Sequence, residues 1–299
     1  MKFKNLLNKR VEQEKLIILD GGTGTEIQRR GVSTKLPLWS SEALMTHPEL
    51  VKQIHKDYIQ AGAEIVTTNT FRTTERTLVK VGKKKKAKEL TKLAVSLVKQ
   101  AIEETDKKGK VFIAGSIAPL EDCYQPELVP SYEEALKEHY RLARDLKVGG
   151  ADFFLVETMN SLGETKAAIK ACKKAGGLEV GVSFCVDKNI KLLTGESLKK
   201  AVKTVEDLGV ILIMVNCVDI KKATRAVRKL VGLTNLPVGV YANGDGCPAD
   251  DQGWDFSKDV GVEKYVMEAK KWQELGARII GGCCGTSPEY IKILVKELE

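Results

Sequence analysis

The sequence predicts a single (β/α)8 barrel, because three observations agree. Short apolar runs of strand length recur along the whole chain, and each is followed by a longer amphipathic stretch. No linker or change in composition divides the 299 residues, whose 43% hydrophobic content is enough for a full core. We therefore expect one domain spanning residues 1–299, with residues 1–15 as a lead-in to the first strand.

Eight runs rich in β-branched and other apolar residues have the length of buried strands. They occupy residues 16–20, 64–69, 111–116, 152–157, 179–185, 211–217, 237–243 and 278–283. Runs such as FFLVE and ILIMVN are almost continuously apolar, which is typical of parallel strands covered by helices on both faces. A doubly wound open sheet is the alternative, because periodicity does not show whether the eighth strand pairs with the first.

The stretches between these runs have helical periodicity. They predict helices at residues 49–61, 86–103, 132–148, 162–175, 223–231 and 262–275. Four of them are followed by a glycine that suits a helix C-terminus: Gly62, Gly149, Gly176 and Gly276. Residues 244–260, GDGCPADDQGWDFSKDV, are expected to form a long polar loop, and loops of this length are often functional.

Charge and cysteine content indicate the cellular setting and the kind of partner. Much of the net charge of +8 comes from two lysine runs, residues 83–86 and 107–110, which lack interleaved aromatic residues for stacking on bases. We interpret them as solvated surfaces and expect no nucleic-acid partner. No apolar run approaches the ~18 residues of a membrane helix. Seven cysteines without regular spacing, behind no exported leader, predict reduced thiols in the cytoplasm.

Polar and thiol side chains stand at the ends of the predicted strands, where a barrel of this kind builds its active site. They are Asp20, Asn69, Ser116, Glu157, Cys217, Asn243, and the adjacent Cys283 and Cys284. Because the carboxyl ends of parallel strands share one rim, these groups should converge.

Three thiols on this rim predict a zinc site. In a closed barrel the sixth and eighth strands are separated by one strand only, so Cys217, Cys283 and Cys284 can meet. Catalytic zinc takes three protein ligands and keeps one position open for the substrate. The alternative is that the adjacent pair are buried small residues or a strained redox pair. Among the other cysteines, only Cys185 also ends a predicted strand and competes as a ligand.

Asp20 and Glu157 place two carboxylates on the same rim. Asp20 precedes GGTGTE, a turn that lacks the Gly-Lys-Ser/Thr ending of a phosphate-binding loop. We expect its glycines to let the backbone approach a small ligand whose ammonium group binds Asp20 and Glu157. A carboxylate pair could also hydrolyse glycosides, but that function would leave the cysteines unexplained.

The motifs DGGTGTE, GAEIVTTNTF, GSIAP, VETMN, VNC, YANG and GARIIGGCCGT occur in this order. Together they resemble the homocysteine S-methyltransferase family over residues 16–297. The resemblance implies a (β/α)8 barrel in which Cys217, Cys283 and Cys284 hold zinc. It implies methyl transfer to the thiol of homocysteine, giving methionine.

The resemblance also implies roles for individual residues. Asp20 and Glu157 would bind the amino group of homocysteine, and backbone groups near Gly21, Gly22 and Thr23 would bind its carboxylate. Asn243 would fill the open zinc position before the substrate arrives. The chain is similar to stand-alone members that use S-methylmethionine or S-adenosylmethionine.

Two alternative functions stay open at this point. The chain could be a homocysteine-activating subunit that receives its methyl group from a corrinoid protein or methylfolate. It could instead be a non-catalytic barrel that binds a metal or a thiol. The segment at residues 120–130, LEDCYQPELVP, departs from the S-methylmethionine pattern and leaves the donor undecided.

Overall fold

The computed structural model describes residues 2–249 and 253–298, and its main sheet has eight parallel strands. They are β1 (Ile17–Ile18), β2 (Ile65–Thr67), β3 (Phe112–Ile117), β4 (Phe153–Met159), β5 (Val180–Phe184), β6 (Leu212–Asn216), β7 (Val238–Ala242) and β10 (Ile279–Gly282). Each lies at one of the eight predicted positions. The strands between β7 and β10, which are β8 (Cys247–Ala249) and β9 (Gly253–Asp255), form a separate hairpin. The order across the sheet is β1, β10, β7, β6, β5, β4, β3, β2.

The first and last strands in this order meet and close the barrel. Leu19 forms a parallel bridge with Ile65. The amide of Asp20 donates to the carbonyl of Ile65 at 2.9 Å, and the amide of Glu64 donates to the carbonyl of Ile18 at 2.7 Å. An open sheet would leave these edges apart, so the closure confirms the (β/α)8 barrel.

Helices surround the barrel. They are α1 (Phe3–Glu12), α2 (Thr23–Arg29), α3 (Glu42–Thr46), α4 (Pro48–Gln60), α5 (Glu75–Val79), α6 (Ala87–Glu104), α7 (Tyr132–Gly149), α8 (Leu162–Ala175), α9 (Leu198–Asp207), α10 (Ile220–Val231), α11 (Val262–Glu274) and α12 (Pro288–Leu298). The six predicted helices correspond to α4, α6, α7, α8, α10 and α11.

Local capping explains where the helix ends differ from the prediction. The side chain of Asp219 accepts a hydrogen bond from the amide of Lys222 at 2.9 Å, so α10 begins before residue 223. Gly149 is the last residue of α7, and Gly150 takes the left-handed conformation (φ 96°) that ends the helix.

The N-terminal lead-in is a helix that fills the amino-terminal end of the barrel. Phe3 and Leu7, one turn apart on α1, are both 1% exposed and pack with the apolar side chains inside the barrel. The ring of Phe3 stacks on Phe153 with centroids 4.0 Å apart and meets Phe112 edge-on at 5.5 Å. The first residues of the chain thereby complete the core.

The expected polar loop at 244–260 is in part an antiparallel hairpin, and residues 250–252 lie outside the described residues. Its strands are β8 (Cys247–Ala249) and β9 (Gly253–Asp255). Trp254 is 2% exposed, and its Nε1 donates to the carbonyl of Asp245 at 2.7 Å. Burial of this large indole orders a segment whose composition predicted a loop.

The lysine runs are on the surface: residues 83–86, Lys107, Lys108 and Lys110 are exposed. Within residues 2–249 and 253–298, no helix combines the length and the apolar character needed to cross a membrane.

Candidate metal and substrate site

Three cysteine sulfurs meet at the carboxyl ends of two strands. Cys217 follows β6, Cys283 and Cys284 follow β10, and β7 lies between the two strands. The sulfur atoms all lie within 4.8 Å of one another. Cys217 has a positive φ of 56°, which a non-glycine residue rarely adopts and which the surrounding contacts must hold.

The three sulfurs hold protons unequally. The pKa of Cys283 is well below its usual range, because the thiols of Cys217 and then Cys284 are placed to donate to its sulfur. Hydrogen bonds with Cys123 and then Cys283 raise the pKa of Cys217. The pKa of Cys284 is well above its usual range: a hydrogen bond with Cys217 lowers it, but Cys283 and burial together raise it by more. The protein alone therefore favours one thiolate here, and three thiolates together require a cation.

A metal ion fits this arrangement on two grounds. Sulfurs bound tetrahedrally at ~2.3 Å from one zinc lie ~3.8 Å apart, which the cluster reaches with small side-chain shifts. In addition, Oδ1 of Asn243 is buried and has no hydrogen-bond partner among the described residues. The backbone amide of Asn243 donates to the carbonyl of Val218, next to Cys217, and the backbone amide of Gly244 donates to the carbonyl of Cys284. The side-chain oxygen of Asn243 thus belongs to a backbone segment that is hydrogen-bonded next to Cys217 and to Cys284.

Asn216 supports the site from behind. Its Oδ1 accepts from the amide of Thr158 at 3.0 Å and from the hydroxyl of Ser183 at 2.7 Å. Its Nδ2 donates to the hydroxyl of Thr158 at 2.8 Å and lies 3.9 Å from the sulfur of Cys283. Thr158 also has a positive φ, 58°, beside Glu157, at the point where the register between β4 and β5 shifts.

The two predicted carboxylates are buried on the same rim. Asp20 is 1% exposed and accepts from the amide of Thr67 at 2.8 Å and from its hydroxyl at 3.0 Å. Glu157 is 8% exposed, accepts from the hydroxyl of Tyr241 at 3.0 Å and makes a short hydrogen bond with Ser116.

Burial disfavours the charged form of both carboxylates, so a cation beside them would be strongly stabilising. Desolvation raises the pKa of Asp20 well above its usual range, although the bonds from Thr67 oppose this. Desolvation likewise raises the pKa of Glu157 to about 7, against the bond from Ser116. In the described part of the chain, no lysine or arginine pairs with either group. An incoming ammonium group would supply the missing charge.

The glycine turn after β1 approaches the cluster closely. A Cβ on Gly22 would lie 2.6 Å from the carbonyl oxygen of Cys283, so only glycine fits there. The amide of Gly22 already donates to the hydroxyl of Thr286 at 3.1 Å, so it is less free for a ligand than its neighbours. The hydroxyl of Thr23 is buried, and none of the residues whose positions are described pairs with it. Gly21 and Thr23 therefore offer the freer polar groups.

These groups line one cavity of about 500 Å³. Asp20, Gly21, Gly22, Thr23, Glu157, Cys217, Cys283 and Cys284 all form part of its wall. Asn243 is not among the lining residues and reaches the cluster only through its backbone neighbours. The structure thus brings together predicted groups from four strands of the barrel, β1, β4, β6 and β10.

The segment between β3 and α7 contributes residues that the strand-end pattern did not predict. The hydroxyl of Tyr124 lies 3.3 Å from the sulfur of Cys217, and Cys123 is a buried part of the cavity wall. A cysteine followed by a tyrosine soon after a strand end was the available signal. Cys185, the predicted competitor, is instead outside the cluster, and its sulfur donates to the carbonyl of Cys217 at 3.7 Å.

Comparisons with known proteins agree with the motifs. The family model described as homocysteine S-methyltransferase matches residues 17–298. Homocysteine S-methyltransferase YbgG of Bacillus subtilis (strain 168) is 31% identical over 293 residues, covering 93% of this chain and 92% of that protein. Selenocysteine Se-methyltransferase of Brassica oleracea var. italica is 27% identical over 309 residues, covering 94% and 88%.

The structural comparison gives the same answer. The crystal structure of the homocysteine methyltransferase MmuM from Escherichia coli, in its metallated form, matches with a TM-score of 0.84. The identity is 27%, and the match covers 96% of this chain and 98% of that one. None of these names points to a corrinoid partner. The resemblance predicted from the motifs is confirmed, and the chain belongs to the homocysteine S-methyltransferase family.

Proposed function

We propose that the protein transfers a methyl group from S-methylmethionine or S-adenosylmethionine to the sulfur of homocysteine, giving methionine. The observation that carries this proposal is the meeting of three cysteine sulfurs, in one cavity, with two buried carboxylates that have no cationic partner among the described residues. The first set suits a thiol and the second an ammonium group, and homocysteine carries both. The names of the relatives support the same acceptor.

Cys217, Cys283 and Cys284 would hold a zinc ion, for which soft thiolate ligands are suited. An unperturbed thiol is only about 3% ionised near pH 7, and bound zinc would supply the charge that keeps the substrate sulfur deprotonated. Asn243, whose Oδ1 has no partner among the described residues, is the proposed occupant of the fourth position in the absence of substrate.

The other end of homocysteine would be fixed by the carboxylates. Asp20 and Glu157 would accept hydrogen bonds from its ammonium group, while Gly21, Gly22 and Thr23 would face its carboxylate. Thr67 holds Asp20 in place, and Ser116 with Tyr241 holds Glu157, so neither carboxylate has to be ordered on binding. Fixing both ends of the substrate leaves its sulfur with little freedom.

The proposed reaction is a direct displacement. A lone pair on the homocysteine thiolate attacks the methyl carbon of the donor and forms the new sulfur–carbon bond. The bond between that carbon and the positive sulfur of the donor breaks, and its electrons leave with a neutral thioether. No proton has to move in this step, so the protein's main tasks are alignment and exclusion of water.

We further propose that residues 1–299 work as one homocysteine-binding domain. The helix at the N-terminus supports this proposal, since it fills the barrel interior. The cytoplasm is the proposed location because all seven cysteines are free thiols.

A panel of donors tests the function. Zinc-loaded protein would be incubated with homocysteine and S-methylmethionine, S-adenosylmethionine, methylfolate or methylcobalamin, and methionine would be detected by mass. We expect product with at least one of the two sulfonium donors. Product with methylfolate or methylcobalamin alone would contradict the proposed donors, and tight homocysteine binding without product from any donor would favour a non-catalytic barrel.

A further inference from the structure

Arg72 places a buried positive charge in the wall of the active-site cavity. The residue is 7% exposed and follows β2 along the chain, beyond Thr67. Nothing in the proposed binding of homocysteine or zinc uses it. A guanidinium keeps its charge at any physiological pH, so its surroundings must compensate that charge.

The protein compensates it only in part. Nη1 of Arg72 donates to the carbonyl oxygens of Glu121 at 2.8 Å and Pro119 at 3.2 Å. The guanidinium carbon lies 5.1 Å from the centre of the Phe71 ring. These partners are all neutral, and Nε and Nη2 have no acceptor within residues 2–249 and 253–298. Asp122 lines the same cavity, but its carboxylate accepts from the amide of Tyr124 at 2.8 Å.

The next arginine along the chain provides the contrast. Arg76, on α5, pairs with Glu138 at 2.7 Å and with Glu121 at 3.4 Å. Arg76 lies outside the active-site cavity and has three carboxylate partners, with Glu134 at 3.7 Å as the third, whereas Arg72 lines the cavity and has none among the described residues. A buried charge without a counter-ion is costly, and such an arrangement suits a site whose counter-ion is a ligand.

The positions of the proposed homocysteine partners leave Arg72 available to the methyl donor. Asp20, which faces the amino acid end of homocysteine in the proposed function, is tied to Thr67 at the end of β2. Arg72 instead donates to backbone carbonyls of the segment that follows β3. The proposed partners of the homocysteine carboxylate are Gly21, Gly22 and Thr23, on the turn after β1, so Arg72 is left for the second substrate.

Aromatic side chains add a second kind of binding group to the cavity. Trp39, Phe71, Tyr124 and Trp254 all line the cavity. The faces of aromatic rings attract onium cations, and a sulfonium donor carries such a charge. A guanidinium and several aromatic rings in one cavity match a molecule with a carboxylate and a sulfonium centre.

We propose that Arg72 binds the carboxylate of the methyl donor and thereby selects sulfonium compounds that carry a carboxylate. This inference rests on the proposed methyl transfer. It makes Arg72 a specificity-determining residue, since Nε and Nη2 can together hold both oxygens of a carboxylate.

The test compares two donors within each variant. S-methylmethionine and its decarboxylated analogue, (3-aminopropyl)dimethylsulfonium, would be assayed with homocysteine on zinc-loaded wild type, Arg72→Met, Arg72→Lys and Arg76→Met. We expect wild type and Arg76→Met to prefer S-methylmethionine in kcat/KM by roughly 10- to 100-fold, the effect of one hydrogen-bonded charge. Arg72→Met should lose this preference, with an unchanged KM for homocysteine. Because the ratio is internal, a smaller folded fraction cancels, and Arg72→Lys should keep part of the preference if Arg72→Met fails to fold.

An equal preference in wild type and Arg72→Met would overturn the proposal. A higher KM for homocysteine without a change in the donor ratio would also overturn it, since the carboxylate would then belong to the acceptor. If wild type uses neither compound, S-adenosylmethionine and its decarboxylated analogue replace them in the same comparison. If wild type transfers no methyl group from any of these compounds, the proposed function fails, and calorimetric binding of the first two compounds decides the role of Arg72. Weaker binding of S-methylmethionine alone in Arg72→Met would support that role, and equal binding would overturn it.

Discussion

The side chain of Asn216, on β6, makes two hydrogen bonds to Thr158, on β4. Its Oδ1 accepts from the backbone amide of Thr158 at 3.0 Å, and its Nδ2 donates to the hydroxyl of Thr158 at 2.8 Å. Each partner adjoins a residue of the site: Asn216 precedes Cys217, and Thr158 follows Glu157. Thr158 and Cys217 both have positive φ values. This contact thus ties the metal-binding end of the cavity to the carboxylate end.

Substitution of Asn216 should therefore affect both ends. Partners that support metal ligands typically contribute 10–100-fold in metal affinity, so we expect Asn216→Ala to weaken zinc binding by roughly that factor. It should also raise the KM for homocysteine, because Glu157 loses its fixed position. Zinc competition with a chromophoric chelator and steady-state kinetics measure the two effects. Asn189→Ala, in an exposed turn, is the control, and a change in only one property would show that the ends are independent.

Loss of one sulfur from the cluster should remove metal and activity together. We expect Cys217→Ala and Cys284→Ala each to abolish zinc retention and methyl transfer, because two thiolates do not make a catalytic zinc site. Elemental analysis of the purified variants and methionine formation provide the measurements. Cys172→Ala removes a buried thiol from α8, outside the cavity, and should keep both properties. Full activity in a metal-free variant would disprove the role of zinc.

Asp20→Asn should impair recognition of the amino group more than recognition of the thiol. Wild type is expected to prefer homocysteine over 4-mercaptobutyrate, which lacks that group, by roughly 10-fold or more in kcat/KM. The variant should lose most of this preference, since its amide no longer offers a full negative charge. The ratio of the two acceptors in each protein is the measurement. An unchanged ratio would place the ammonium group elsewhere.

Glu157→Gln should stabilise the protein at high pH. The pKa of Glu157 rises on folding from the ordinary 4.5 to about 7, so its contribution to stability is complete below pH 4.5 and is lost as the pH rises through about 7. Between about pH 5 and pH 8, wild type should lose roughly 3 kcal/mol in unfolding free energy that the variant keeps. Urea unfolding at both pH values tests this, with Glu89→Gln on the surface as control. Parallel behaviour of wild type and Glu157→Gln would contradict it.

The N-terminal helix should contribute strongly to stability. Phe3→Ala removes a ring that stacks on Phe153 inside the barrel and should cost about 3–5 kcal/mol of unfolding free energy. Urea unfolding followed by far-UV circular dichroism measures the loss. Val148→Ala, at a side chain that is 63% exposed, should change little. Equal stability of the two variants would show that α1 is dispensable for the core.

Periodicity predicted the positions of all eight barrel strands, because buried parallel strands need continuous apolar runs whatever surrounds them. It located the longer helices for a similar reason. It did not find α1, whose apolar residues are too few to distinguish it from a polar lead-in. The hairpin around Trp254 was missed because contacts with distant parts of the chain support it, such as the hydrogen bond that Nε2 of Gln28 donates to the carbonyl of Trp254 at 2.7 Å.

The sequence by itself determined the chemistry that is available on the rim: three thiols, two carboxylates and a glycine turn at strand ends. Only the tertiary structure decided which groups meet, since closure through Leu19 and Ile65 sets the positions of the strands around the ring. It also decided which loop residues complete the cavity wall. Arg72, Cys123 and Tyr124 lie in segments without a regular pattern, and their placement in the cavity wall depends on contacts between loops that are distant in sequence.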